Sequence, residues 1–176
     1  MSDELKFRAA TEVDARRREG CVAGSSIICS IMSETLRIRR MAEMDAEVVA
    51  TLAGELGYPN ETKAIRARLR AIGESDLLLV ALDAGDKAIG FIQAHRVCII
   101  EVGFRVEILG LVVSSSSRRS GTARRLIEEA ESWAKNIGAE AISVRSNTKR
   151  IEAHVFYPAL RYKKIKTQAV YEKAVR

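Results

Sequence analysis

The residues most suited to chemistry form a basic turn with one glycine, RRSGTA, over residues 118–123. Residues 106–113 before it have the apolar composition of a buried strand, and the residues after it repeat apolar side chains at helical spacing. Gly121 lets the backbone approach a ligand closely. The first-turn amides of a helix have no intrahelical acceptor, so they bind phosphate oxygens with help from the helix dipole. The turn therefore predicts a cradle for a pyrophosphate.

The same turn resembles the acetyl-CoA-binding motif of the GCN5-related N-acetyltransferase (GNAT) family, Arg/Gln-x-x-Gly-x-Gly/Ala. Arg118, Gly121 and Ala123 stand at its fixed positions, and the resemblance extends over residues 36–175. It implies acetyl-CoA as cosubstrate, held by residues of the strand, of the turn and of a later helix. The residues expected to bind it are Leu111, Val112, Val113, Arg118, Arg119, Ser120, Gly121, Thr122, Ala123, Arg124, Asn147 and Arg150.

Glu107 is a candidate general base on the strand, eleven residues before Arg118. An amine attacks a thioester only when unprotonated, and because alkylammonium groups have a pKa of about 10, the reaction needs a proton acceptor. Family members that use a strand carboxylate as base have it at this separation, so the resemblance implies this role for Glu107. A surface glutamate in an alternating strand fits the residues equally well, and Glu101 is a weaker alternative base.

Tyr157 is a candidate general acid in AHVFYPALRY, a segment similar to the family's Ala-x-x-x-Tyr with Ala153 in register. In the family the tyrosine hydroxyl protonates the departing thiolate, and a phenol with a pKa of about 10 suits that step. A half-buried tyrosine that covers the core is the alternative interpretation.

The segment SNTKRIEAHVFY, residues 146–157, is similar to a subset of the family that reads Ser-Asn-x-x-Arg-x-x-Ala-His-x-Phe-Tyr. Either Asn147 or Arg150 is therefore expected to meet the cofactor. His154 has two interpretations, a residue that orients substrate and a helix-face histidine that packs against the sheet, and we favour the second.

Backbone geometry is expected to matter at five positions. In the family, amides at Leu111 and Val113 bind the acetyl carbonyl as a small oxyanion hole, and Gly110 before them is consistent with a β-bulge. The family usually has glycine where this chain has Arg161, and often where it has Arg119. If position 161 requires a positive φ, arginine there costs roughly 1 kcal/mol.

The elements that must position these residues follow from apolar periodicity. Strands are predicted over residues 36–40, 77–82, 88–96, 106–113, 141–145, 162–166 and 169–173, with an irregular extension over 97–104. Helices are predicted over residues 46–56, 62–72, 122–136 and 149–157. The resemblance implies an α/β fold, a mixed and mostly antiparallel sheet of about 6–7 strands flanked by about four helices.

Composition narrows the classes of function. The 176 residues suffice for one domain with its own core. Aromatic residues make up only 5%, so the net charge of +6 does not indicate a base-stacking nucleic-acid surface. Cys21, Cys29 and Cys98 lack CxxC spacing, which indicates no metal site and fits a reducing cytoplasm. Cys98 is expected in the core.

Residues 1–35 stand apart from this pattern. An apolar stretch over residues 21–32 follows three arginines, but it is too short to span a membrane, and the acidic residues before it are unlike a signal peptide. We interpret residues 1–35 as an N-terminal extension of unknown role and residues 36–176 as the acetyltransferase domain, in the cytoplasm and without a membrane partner.

The function expected from the resemblance is transfer of an acetyl group from acetyl-CoA to a primary amine by direct attack. A small amine, aminoglycoside-like or other, is the favoured acceptor; a protein lysine or N-terminus, or a CoA-binding regulatory module without catalysis, are the alternatives. A homodimer is implied because many family members pair through their C-terminal strands. Candidates for acidic residues that meet a cationic acceptor are Glu43, Asp45, Glu55, Glu61 and Glu74, and plain solvated surface charges are the alternative interpretation of all five.

Overall fold

The computed structural model describes residues 36–175, so the predicted extension over residues 1–35 lies outside it. This part of the chain contains five strands and four helices. The strands are β1 (Arg37–Arg40), β2 (Asp76–Leu82), β3 (Ala88–Ile99), β4 (Gly103–Val113) and β5 (Ala141–Val144). The helices are α1 (Ala46–Glu55), α2 (Thr62–Ala71), α3 (Thr122–Asn136) and α4 (Ile151–Ala159). No helix within residues 36–175 is long and apolar enough to cross a membrane.

The strands form one mixed sheet in the order β1-β2-β3-β4-β5, antiparallel except for the parallel pair β4–β5. This confirms the predicted α/β class with its mostly antiparallel sheet. The sheet has fewer strands than predicted, because within the described residues no strand forms over 162–166 or 169–173. Ile165, Val170 and Tyr171 are exposed there. A segment that buries no apolar face has little to offset the entropy of ordering its backbone.

Helices pack on both faces of the sheet, and the strand register shows which side chains point to each face. Val80, Phe91 and Val112 are direct partners across three strands and pack with α1 and α2; we call this side the α1/α2 face. Their neighbours Leu79 and Ile92 point the other way and pack with α3; we call that side the α3 face. Tyr157 of α4 also packs against the core on the α3 face.

The segment predicted as an irregular extension is instead the end of a regular hairpin. β3 continues to Ile99, β4 begins at Gly103, and the Val102 N–H donates to the Ile99 carbonyl across the turn at 3.1 Å. Cys98 lies on this hairpin and is exposed, so its predicted place in the core is wrong. The cross-strand hydrogen bonds of the ladder hold this part of the hairpin, where apolar burial is small.

A β-bulge interrupts β4 next to Gly110, the position where the sequence predicts one. Gln93 pairs with Gly110 and the next residue, Ala94, pairs with Ile108, so Leu109 is the extra residue. One extra residue reverses the alternation of side chains along the strand. Before the bulge, Glu107 therefore points to the α1/α2 face, as Val112 does after it.

A buried ion pair fixes the start of α1. The Arg39 guanidinium donates to both carboxylate oxygens of Asp45 at 2.7 Å, and the Ala42 N–H donates to the same carboxylate at 2.8 Å. Asp45 is 5% exposed, so its expected place at the mouth of an acceptor site is wrong. Burial opposes ionisation, but the hydrogen bonds from Arg39 and Ala42 outweigh it and hold the pKa of Asp45 below its usual range.

We expect Asp45→Asn to lower the free energy of unfolding at neutral pH by about 2 kcal/mol, since it leaves charged and polar donors without a carboxylate. Because the pKa of Asp45 is depressed in the folded state, the stabilisation is present above the unfolded pKa and is lost as the pH falls through the folded pKa. Urea unfolding at a series of pH values measures both effects. Glu43→Gln, which removes an exposed 2.8 Å pair with Arg70, is the matched control with a small expected effect. Equal losses in both variants would contradict the prediction.

Both positions where the chain departs from the family's glycine have positive φ, 63° at Arg119 and 67° at Arg161. We expect Arg161→Gly to raise the free energy of unfolding by about 1 kcal/mol, because glycine adopts this conformation without the clash of a Cβ. Arg161→Ala keeps the Cβ and should leave stability near that of the native chain. Thermal unfolding of the two variants side by side tests the origin of the effect, and a gain from alanine as large as that from glycine would contradict it.

Candidate functional site

The predicted cradle lies where β4 leads into α3. Gly121 stands at the N-cap of α3 with φ of 86°, so its conformation is one that residues with a side chain rarely adopt. A Cβ on Gly121 would meet no atom within 4 Å, which shows that the space in front of the turn is open. The first-turn amides of α3, on Thr122, Ala123 and Arg124, precede the first helical hydrogen bond, in which Arg125 donates to Gly121.

Side chains within the turn hold its shape. The Ser120 hydroxyl donates to the Ser117 carbonyl at 2.7 Å and lies 2.7 Å from the Thr122 hydroxyl, which is buried. These two side chains bond to the loop itself, so their backbone amides are the groups left for a ligand. Arg118, Arg119 and Arg124 are exposed around the turn and supply positive charge.

The end of α1 is tied to the same turn through Glu55. The Ser115 N–H donates to the Glu55 carboxylate at 2.7 Å, and Arg118 lies 3.8 Å from it. The Glu55 carboxylate thus stabilises the loop and is not free to pair with a cationic acceptor. Sequence analysis missed this role, because the two partners are 60 residues apart and no local pattern links them.

β4 and β5 separate beside the turn and leave a gap, which we call the β4–β5 gap. Their pairing ends at Ile108 and Val144, so residues 109–113 of β4 have no strand on that side among the described residues. The Ser114 N–H donates to Ile89 of β3 at 2.8 Å. Backbone groups alternate in direction along a strand, so the N–H groups of Leu111 and Val113 point into the gap. These are the two amides that the sequence predicts to bind an acetyl carbonyl.

Tyr157 lies on α4, half-buried among aromatic neighbours. Its ring makes edge contacts with Phe156 and Tyr162, at centroid distances of 5.3 and 5.7 Å. Burial raises the pKa of the Tyr157 hydroxyl, and the nearby positive charge of Arg150 partly offsets this. The phenol is therefore protonated at neutral pH, the state that a general acid requires.

The two candidates on the segment before α4 use their side chains differently. Arg150 donates to the Leu56 carbonyl at the end of α1, at 2.8 Å, and so links the α4 side of the molecule to α1. Asn147 accepts the Lys149 N–H at 2.9 Å and caps its own turn. His154 is exposed and contacts the Thr148 carbonyl at 3.1 Å, so the expectation that it packs against the sheet is wrong.

Glu107 is largely covered and paired with a residue that sequence analysis did not consider. Arg145, directly after β5, places Nε 2.5 Å from one carboxylate oxygen and Nη2 3.1 Å from the other. The carboxylate is 15% exposed and the guanidinium 73%. Both oxygens of Glu107 thus contact the guanidinium of Arg145. Its role as general base stays a prediction.

The remaining acidic candidates lie away from the gap or are solvated. Glu43 is paired with Arg70, whose guanidinium lowers the pKa of this fully exposed carboxyl. Glu61 and Glu74 are exposed at the start of α2 and in the turn before β2. The candidate site is therefore the turn at the head of α3 together with the β4–β5 gap, and the roles of Tyr157 and Glu107 in it stay predictions.

Comparison with known proteins agrees with this geometry. The family model described as Acetyltransferase (GNAT) family matches residues 38–159, more than half of the chain. Comparison with curated proteins finds no match.

Several solved structures share the fold. A transcriptional regulator from Bacillus halodurans C-125 superposes with a TM-score of 0.72 at 23% identity, over 78% of this chain and 99% of that one. The aminoglycoside antibiotic 6'-N-acetyltransferase AAC(6')-Ih from Acinetobacter baumannii has a TM-score of 0.70 at 19% identity, over 80% of this chain and 99% of that one. The aminoglycoside N-acetyltransferase AAC(6')-Iy in complex with CoA has a TM-score of 0.70 at 22% identity, over 80% and 95%. At these identities the likeness establishes the architecture.

Proposed function

The chain belongs to the acetyltransferase (GNAT) family, and on that premise we propose that it transfers the acetyl group of acetyl-CoA to the primary amine of a small molecule. The observation that carries the proposal is the joining of two features on β4. The strand points two amides, those of Leu111 and Val113, into the β4–β5 gap. It then leads into an open, glycine-containing helix start.

The residues present fit acetyl-CoA, which supplies the acetyl group as a thioester. The amides of residues 119–124 would bind the pyrophosphate, with the α3 dipole and the exposed arginines adding positive potential. Within the gap, the amides of Leu111 and Val113 would donate to the thioester carbonyl oxygen and stabilise the charge that develops on it. Arg150, which already reaches from α4 to the end of α1, would contact the pantetheine arm.

Proton handling falls to side chains on either side of the gap. The acceptor ammonium loses one proton, its nitrogen forms a bond to the acetyl carbon, and the carbon–sulfur bond breaks. Tyr157, kept protonated by burial, would give its proton to the leaving sulfur. The nitrogen loses a second proton as it becomes an amide, and this proton would restore the Tyr157 hydroxyl. On the α1/α2 face, Glu107 is the predicted acceptor of the ammonium proton. No acyl-enzyme is needed, because the chain would act by proximity, carbonyl polarisation and proton transfer.

The acceptor class is supported by the fold neighbours. Two of the structures that share this fold are named as aminoglycoside N-acetyltransferases. On the α1/α2 face of this chain, Glu107 lies beside the last β4–β5 pair, where the gap opens, and its carboxylate is paired with Arg145.

Calorimetric titration with acetyl-CoA, followed by a thiol-release assay over simple amines, polyamines, aminoglycosides and lysine peptides, tests the proposal. Binding together with thiol release on a small amine is the expected result. Release on lysine peptides alone would replace the small acceptor by a protein. Binding without release on any amine would favour a regulatory CoA-binding module, and no binding would overturn the cradle itself.

A further inference from the structure

A row of polar side chains crosses the sheet on the α1/α2 face. The register places Asp76 opposite His95, His95 opposite Glu107, and Glu107 opposite Ser143, across β2, β3, β4 and β5. Direct partners in a sheet point to the same face. Because Asp76 and Val80 are four residues apart on β2, this is the face that carries α1 and α2.

The two helices contact the same face at the other end of the strands, through the apolar residues around Val80, Phe91 and Val112. Within the row, the carboxylates of Asp76 and Glu107 are largely covered, at 11% and 15% exposure. The side chain of His95 is 38% exposed, so solvent and a small ligand have access to it. His95 is thus the accessible member of the Asp76–His95–Glu107 row.

Asp76 holds His95 in a defined state. One carboxylate oxygen lies 2.9 Å from Nδ1 of His95, and the other accepts a hydrogen bond from Gln93, also at 2.9 Å. A carboxylate accepts hydrogen bonds only, so the neutral imidazole carries its proton on Nδ1. The lone pair is then on Nε2, which has no hydrogen-bond partner among residues 36–175. A proton taken up there produces an imidazolium that Asp76 stabilises.

The position of His95 relates it to the β4–β5 gap. Glu107, its direct partner, belongs to the second-last pair between β4 and β5, next to the point where the gap opens. Glu107 is occupied by Arg145 through both oxygens. Both oxygens of Glu107 thus already accept a hydrogen bond from a cation, whereas Nε2 of His95 has no partner in the described part of the chain.

We propose that His95, oriented by Asp76, accepts the proton of the acceptor ammonium, while Glu107 and Arg145 form the adjoining wall of the acceptor site. This assignment rests on the proposed acetyl transfer. The ammonium N–H bond breaks and Nε2 of His95 takes the proton. The freed nitrogen lone pair forms the bond to the acetyl carbon, the carbon–sulfur bond breaks, and Tyr157 gives a proton to the leaving sulfur. The second proton that the nitrogen loses on becoming an amide restores the Tyr157 hydroxyl. Asp76 is a positioning residue, since it acts through His95.

The charges around His95 are few and are defined by the register. Asp76 faces it from β2, and Glu107 and Arg105 share its face on β4, while Arg145 meets it through Glu107. The helices α1 and α2 contribute apolar contacts to this face. The acidic limb of a pH profile of kcat/KM reports an essential base, so this limb is the readout for the proton acceptor.

His95→Asn is the most direct test, because the asparagine amide keeps a donor for Asp76 but removes the acceptor nitrogen. We expect kcat to fall by about 10²-fold with unchanged acetyl-CoA affinity, and the acidic limb of the kcat/KM profile to change. Asp76→Asn should lower kcat less and displace the limb. His154→Gln is the matched control, since it changes the other of the two histidines and should leave rate and profile unaltered.

Three results would overturn the assignment. A native kcat and pH profile in both His95→Asn and His95→Gln would remove His95 as proton acceptor. Loss of the limb in Glu107→Gln but not in either His95 variant would return the role to the carboxylate. NMR of the two imidazoles gives a readout that needs no turnover. A neutral His95 protonated on Nε2 would contradict the assignment even if no acceptor amine were found, whereas native protein that binds acetyl-CoA and acetylates nothing would overturn the proposed function.

Discussion

Gly121→Glu is expected to weaken acetyl-CoA binding at least 100-fold, about 2.7 kcal/mol. The substitution places a carboxylate at the N-terminus of α3, where the free amides and the helix dipole favour an anion. The new carboxylate would occupy the position predicted for the pyrophosphate and would repel its negative charge. The φ of 86° adds strain for any residue with a Cβ, of roughly 1–2 kcal/mol.

A substitution at Gly138 distinguishes the effect of the added charge from the effect of backbone strain. This glycine lies just past the other end of α3, has φ of 75°, and also has no atom within 4 Å of a Cβ. Gly138→Glu should therefore cost similar stability while acetyl-CoA affinity stays native. Gly121→Ala, which adds strain without charge, should fall between the two in affinity. Calorimetric titration measures all three, and native affinity in a folded Gly121→Glu protein would mean that the pyrophosphate binds elsewhere.

Tyr157→Phe is expected to lower kcat by about 10²-fold with little change in acetyl-CoA affinity. Phenylalanine preserves the edge contacts with Phe156 and Tyr162, so the packing of α4 is retained and the hydroxyl alone is lost. Burial raises the pKa of the Tyr157 hydroxyl, the charge of Arg150 only partly opposing it, so the acid form persists into alkaline solution. The native rate should therefore show no loss from this group until well above neutral pH.

Tyr162→Phe provides the comparison for that experiment. It removes the same atom from the ring in contact with Tyr157, and burial raises the pKa of this hydroxyl as well. We expect a near-native kcat, because the sequence and the structure give Tyr162 only a packing role. Steady-state rates and a single-turnover measurement, which isolates the chemical step, decide the result. A native single-turnover rate in Tyr157→Phe would exclude it as the acid that protonates the sulfur.

Local patterns predicted the elements that carry the cofactor site. The helix over residues 122–136 has the predicted bounds, and the turn before it shows the left-handed glycine that its sequence indicates. Both features depend on residues close together in the chain. The bulge beside Gly110 was likewise visible as a glycine within a strand.

Pairs that meet only in the folded sheet could not be predicted in this way. Arg145 reaches Glu107 because β5 lies parallel to β4, and His95 reaches Asp76 because of the β2–β3 register. Nothing in the neighbourhood of these residues along the chain indicates the contact. The two C-terminal strands failed for a different reason. Apolar periodicity predicted them, but a pattern does not show whether the apolar residues find a surface to pack on, and Ile165, Val170 and Tyr171 remain exposed.

The extra residue at Leu109 puts the two halves of β4 out of phase with each other. With regular alternation from Val112 downward, Val106 would lie on the α1/α2 face and Glu107 would point into the core beneath α3. The separation of eleven residues between Glu107 and Arg118 therefore predicts the face to which Glu107 points only if the bulge is also present. If two sequences of this family share the eleven-residue separation but only one has the β-bulge, the residues at the Glu107 position would point to opposite faces of the sheet.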